Sequence, residues 1–260
     1  MQDELLVQIY NFSLILSRIL GFLLIAPIFG SKSLPNRFKL ALAFLITILL
    51  FPLVADQNIQ FPNQLLIILF RIVVELLIGF IIGFIMLLNF IAIQLAGQFI
   101  DTRMGFAMAN VMDPQNGMKA PLVGQFQNIL ATLVFLSINA HHHLLKVLSD
   151  SFTIVEITKF QSSKDLIPSL FRIIGNLLPL GFKLALPIIA ILFIVDLAFG
   201  LVARVVPQIN VFMMGLPTKT FVGLLFLSLI MPSYINHLQL IFSDAVEDIY
   251  QILKLMIERG

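Results

Sequence analysis

Apolar residues in this chain run in stretches as long as a membrane crossing, without the strict two-residue alternation of a barrel strand. Six such segments stand out, at 5–29, 38–54, 65–93, 122–138, 177–201 and 216–235. A hydrocarbon core about 30 Å thick needs about 20 apolar helical residues, so most of these runs qualify. Helix is the state that satisfies every backbone group inside such a segment. The pattern therefore predicts an all-α, membrane-associated chain of six hydropathic segments. The segments at 38–54 and 122–138 are short, and Gln125, Gln127 and Asn128 lie near the start of the latter. A different pattern follows at 238–257. There Leu238, Ile241, Phe242, Ala245, Ile249, Ile252, Leu253 and Met256 fall on one helical face, with Asp244, Glu247, Asp248, Gln251, Lys254 and Glu258 on the other. The region from 141 to 172 is more polar and interrupted, and predicts no stable span.

Prolines punctuate the apolar runs. Pro27, Pro52, Pro179, Pro187, Pro207, Pro217 and Pro232 lie within or at the edge of them. Each interior proline removes a helical N–H, which kinks or ends the helix. Two readings fit: ordinary transmembrane kinks, or broken helices wrapped against other subunits. Positive charge does not choose between them. Lys32, Arg37, Lys39, Arg103, Lys119 and Arg204 on one set of connections balance Lys146, Lys159, Lys164, Arg172, Lys254 and Arg259 on the other. The tight Lys32, Arg37, Lys39 group would place its loop in the cytoplasm. The even balance also fits segments that do not simply thread lipid six times.

Composition supports this class. Apolar residues make up 59% of the 260 and charged residues 12%, far from the roughly 45–50% and 25% of soluble domains. Net charge is +2, too small to imply nucleic acid. Cysteine is absent, which excludes disulfides, thiol nucleophiles and Cys-ligated metal. The first basic residue is Arg18, so the basic start of a cleaved signal peptide is missing and the N-terminus is expected to stay on the mature protein.

Ionisable residues inside apolar runs are costly and face protein or water. Arg18, Arg71, Glu75, Lys183 and Asp196 are of this kind. Arg71 and Glu75 are four apart on one face, and their spacing predicts a structural ion pair. Asp196 and Arg204, eight apart, invite the same modest reading. Gly79 and Gly83 form a GxxxG pattern that permits close helix approach, a pattern common by chance. The run His141-His142-His143 does not read as a metal site, because adjacent helical residues point about 100° apart. No GxSxG, HExxH or GxxxxGK[ST] signature occurs, so the chain is read as neither an enzyme nor a user of a cofactor.

The stretch between the third and fourth segments carries Met104, Met108, Met112 and Met118, four of the ten methionines. Gly105, Gly117, Pro114 and Pro121 resist a continuous helix there. Methionine is deformable and packs against partners of many shapes, which suits a seal. It suits equally a loop packed into an ordinary helical core.

Four groups of residues stand out in order along the chain: Arg18 with Pro27, Gly30, Pro35 and Arg37; Gly105-Phe106-Ala107 with Asp113-Pro114; Phe135 with Asn139 to Leu145, then Ser151-Phe152; and Arg204, Pro207, Gln208, Asn210, Gly215 and Pro217. Together they resemble the FliR family of flagellar biosynthesis proteins, the last group matching its C-terminal signature. The resemblance covers nearly the whole length in order. It implies a single helical domain over 1–260, with a part similar to a P subunit at about 1–175 and one similar to a Q subunit at about 176–260. It implies a core subunit of the flagellar type III protein export gate, in a hetero-oligomer with FliP-like and FliQ-like subunits beside FlhB-like and FlhA-like proteins. The substrates would be unfolded exported proteins, and the location the bacterial inner membrane at the flagellar basal body. The family's pore plug maps to about 106–122, so Met104, Phe106, Met108, Val111, Met112, Asp113, Pro114, Gly117 and Met118 become candidate plug residues. Virulence injectisome homologues share the layout and stay open as an alternative. A small-solute secondary transporter is the other reading; it would call for inverted repeats and a midplane site, and neither is visible.

Overall fold

A computed structural model of the chain describes residues 2–31, 34–54, 61–62, 64–106, 121–208 and 210–257. The described residues are helical with connecting turns: α1 (Gln2–Ile25), α2 (Asn36–Val54), α3 (Leu65–Met104), α4 (Leu122–Ser137), α5 (Ala140–Ile154), α6 (Leu166–Gly175), α7 (Leu177–Val205) and α8 (Val211–Leu255). Five helical stretches are long and apolar enough to cross a membrane, and α4 with α5 would make a sixth as one broken span. The all-α class expected from the pattern is what the chain adopts. The helices differ from the apolar segments in extent. α3 continues through 40 residues to Met104, and α8 fuses the last apolar run with the amphipathic one into 45 residues. Two helices, α5 and α6, occupy the region read as interrupted. Pro52, Pro187, Pro217 and Pro232 lie inside helices, whereas Pro179 sits in the first turn of α7, where its missing N–H does little harm.

The chain divides into two compact units. The first comprises 1–88, 139–174 and 242–260. In it α1 packs along α2, with Phe12 edge-on to Phe44 at 5.2 Å. Against α3 the approach of α1 is closer still. A Cβ on Gly79 would stand 1.8 Å from the Arg18 carbonyl oxygen, and one on Gly21 would stand 2.1 Å from that of Leu76. Gly83 of the GxxxG pattern meets Ile25 and Ala26 where α1 ends. Here the pattern is a real contact surface. The apolar face of the amphipathic segment is consumed internally: Phe242, Ala245, Ile249, Ile252, Leu253 and Met256 are all buried. Its end is tied down by the backbone of 161–163, as Gln161 N–H donates to the Met256 carbonyl at 2.8 Å and Ser163 N–H to that of Leu255 at 3.2 Å. These bonds occupy carbonyls that a helix C-terminus leaves open.

The second unit comprises 89–138 and 175–241. Its core includes Ala92, Ile93, Ala96, Ile100 and Met104 of α3, Val123, Ala131, Val134 and Phe135 of α4, and Ala185, Ile188 and Leu192 of α7. Small residues again set the spacing. A Cβ on Gly97 would lie 2.2 Å from the Gly124 Cα, so α3 and α4 touch backbone to backbone. Much apolar surface stays uncovered. Within the membrane-length windows 56% of α1 is buried inside the chain, against 11% of α2. Exposed Leu, Ile and Phe side chains line α2, α7 and α8 as well as the start of α3, which fits burial against lipid or other chains.

Candidate functional site

The most enclosed charged group among the described residues of the first unit is Arg18, a fully buried side chain on α1. Its Nε donates to Glu75 Oε2 of α3 at 2.6 Å, and Nη2 lies 2.5 Å from the same oxygen. Nη1 donates to the Ser151 carbonyl of α5 at 2.7 Å, and the guanidinium carbon sits 4.4 Å from the Phe152 ring centroid. Glu75 Oε1 is left to accept the Thr158 N–H at 3.1 Å. Thr158 has φ +66°, a left-handed conformation that a β-branched residue rarely adopts. One ion pair thus joins α1, α3, α5 and the turn after α5, with both carboxylate oxygens used. This corrects the expected Arg71–Glu75 pair. Arg71 is four residues away on the same helix, yet its Nη1 turns to the Tyr10 hydroxyl, at 3.4 Å. Glu75 points instead toward α1, where close backbone approach brings Arg18 into reach. Spacing within one helix could not reveal a partner 57 residues earlier.

In the second unit the methionine-rich stretch is described only at its two ends. Met104 is fully buried and Phe106 half-buried. Met108, Val111, Met112, Asp113, Pro114, Gly117 and Met118 lie outside the described residues. At the near end α3 stops at Gly105, whose φ of +92° suits glycine. Thr220 Oγ1 of α8 donates to the Met104 carbonyl at 3.2 Å, and Gly223 leaves the space that the Met104 side chain fills. At the far end α4 begins after Pro121, which offers no capping side chain. Asp101 of α3 does that work from a distance. Its carboxylate accepts the Val123 N–H at 3.0 and 3.1 Å and the Gly124 N–H at 3.2 Å, satisfying donors that a helix N-terminus leaves open. Sequence reasoning missed Asp101. Its signal was a carboxylate one turn before Gly105, placed on a helix otherwise almost free of acids.

Of the C-terminal signature residues, one has a clear local role. Asn210 caps α8, its Oδ1 accepting the Met213 N–H at 3.2 Å. Arg204, Pro207, Gln208 and Pro217 are exposed, and Gly215 is buried. Asp196 pairs with Lys219, not with Arg204. The His141 and His142 ring centroids lie 4.1 Å apart with the rings tilted by 37°. Among the described residues no cluster of three or more His, Asp or Glu is disposed to hold a metal.

Residues 9–245 match the family described as bacterial export proteins, family 1. Among similar proteins, the flagellar biosynthetic protein FliR of Bacillus subtilis is 34% identical over 249 residues, covering 94% of this chain and 95% of the relative. That of Pectobacterium carotovorum is 34% identical, covering 91% and 90%. That of Escherichia coli K12 is 33% identical, covering 88% and 87%. With its all-helical architecture and end-to-end match, the chain belongs to the bacterial export proteins of family 1, alongside the FliR proteins.

Proposed function

We propose that this chain is a core subunit of the flagellar protein export gate in the bacterial inner membrane, acting by assembly and sealing and not by catalysis. Its uncovered apolar helix faces would be buried by FliP-like and FliQ-like subunits, with FlhB-like and FlhA-like proteins as neighbours and unfolded exported proteins as cargo. In this reading 1–175 corresponds to a P-like part and 176–260 to a Q-like part. The stretch from Met104 to Met118 forms the plug of the pore: Met104 and Phe106 at its root, then Met108, Val111, Met112, Asp113, Pro114, Gly117 and Met118.

The observation that carries the plug reading is the anchoring of both ends of this stretch. Thr220 and Gly223 hold the Met104 end, and Asp101 holds the start of α4. A stopper has to be fixed at its base while its tip yields, and methionine supplies the compliant surface. The test is deletion of 111–119 in cells carrying the full export complex. The complex is expected to assemble at normal stoichiometry and to leak small ions. Unchanged membrane conductance in an assembled deletion complex would refute the sealing role.

A further inference from the structure

Between α4, α7 and α8 of the second unit lies a small cavity with a cavity volume of about 10 Å³. Phe126, Leu130, Ile188 and Leu227 give it apolar walls. Two polar side chains also line it: Gln127 of α4, 2% exposed, and Tyr234 of α8, 8% exposed. Gln127 Oε1 and the Tyr234 hydroxyl are both buried, and neither has a hydrogen-bond partner among the described residues. Buried polar atoms are satisfied in nearly all proteins, and two orphans sharing one cavity point to one shared partner.

We propose that this cavity is a binding site for a single small hydrogen-bond donor that bridges Gln127 and Tyr234. Gln127 Oε1 can only accept, so the ligand must donate to it. The tyrosine hydroxyl can donate or accept, so a group with one proton to give and a lone pair to share satisfies both. The volume limits it to the size of one water molecule. A solvent water meets these terms. It would link α8 to α4 through a polar contact inside an otherwise apolar core.

The test is a double-mutant cycle with Tyr234→Phe and Gln127→Met, read as thermal midpoints of the full chain in detergent and of the co-purified export complex. A bridged pair predicts that each single substitution lowers the midpoint by about 2–4 °C, since each strands the remaining partner. The double variant should lose less than the sum of the two. Equal coupling in the isolated chain and the complex supports the bridging water; coupling confined to the complex overturns it. Midpoints that rise or hold in both singles and add in the double would overturn the proposal, because removing a truly unsatisfied group relieves its burial. Should a variant fail to fold, a high-resolution map of the wild-type complex decides. Density between Gln127 Oε1 and the Tyr234 hydroxyl supports the site, and continuous apolar packing there overturns it.

Discussion

Replacing Glu75 by glutamine changes one atom of the most buried ion pair among the described residues and separates a directional hub from a simple charge contact. The amide oxygen can still accept the Thr158 N–H that Glu75 Oε1 holds at 3.1 Å. The amide nitrogen must then face the Arg18 Nε and Nη2, which sit 2.6 and 2.5 Å from Oε2. Donor meets donor, and a fully buried guanidinium loses its counter-charge. Breaking a buried pair on one side costs about 3–5 kcal/mol, or about 6–20 °C in midpoint for a chain of this size. Arg71→Ala should cost about 1 kcal/mol or less, since it removes one long hydrogen bond. The decisive variant is the exchange Arg18→Glu with Glu75→Arg. A plain ion pair would be restored by it. The hub would not, because a carboxylate at 18 would face the Ser151 carbonyl and the Phe152 ring, and a guanidinium at 75 would face the Thr158 N–H. Circular dichroism melts of the purified full chain, with recovery of the intact complex as a second readout, measure all three. A Glu75→Gln midpoint within about 3 °C of wild type, or full recovery in the exchange variant, would refute the reasoning.

Two further perturbations probe the close contacts. Gly79→Ala puts a methyl 1.8 Å from the Arg18 carbonyl oxygen, a backbone atom that cannot swing aside; the full chain is expected to melt at least several degrees lower, and an unchanged midpoint would show that α1 and α3 are not in contact. Asp101→Ala strands the Val123 and Gly124 N–H groups, at about 1–3 kcal/mol for the buried donors. Hydrogen exchange at the first turn of α4 should quicken while the first unit is unaffected, and equal exchange in both proteins would dismiss Asp101 as its cap.

Periodicity was sufficient for what one helix decides alone. The buried face of 238–257 was readable from spacing, and Leu238, Ile249 and Met256 are indeed fully buried. Helix length was less readable. Between 93 and 104, Gln94, Gln98, Asp101 and Arg103 lower hydropathy without breaking the helix, so α3 outruns its apolar segment. The ion pair failed for a different reason. An i,i+4 rule weighs partners on the same helix, whereas Glu75 is claimed by a residue on another helix, brought near by Gly21 and Gly79. The GxxxG pattern, discounted as common, was the local clue to that approach. Asp101 stayed invisible because its partners are backbone donors 22 and 23 residues away, and backbone donors leave no mark in a sequence.

The same logic explains why a chain so rich in apolar residues keeps a few expensive polar ones. Apolar helices can slide or rotate against one another at small cost, since one leucine contact replaces another. A carboxylate reading two specific N–H groups, as Asp101 does, permits only one register of α4 on α3. In the first unit Glu75 fixes α1, α3 and the Thr158 turn by the same means. Glycines at the closest points bring backbones near enough for short side chains to reach. Greasy surfaces on α2 and α7 can then be left for other chains, because register inside each unit does not depend on them.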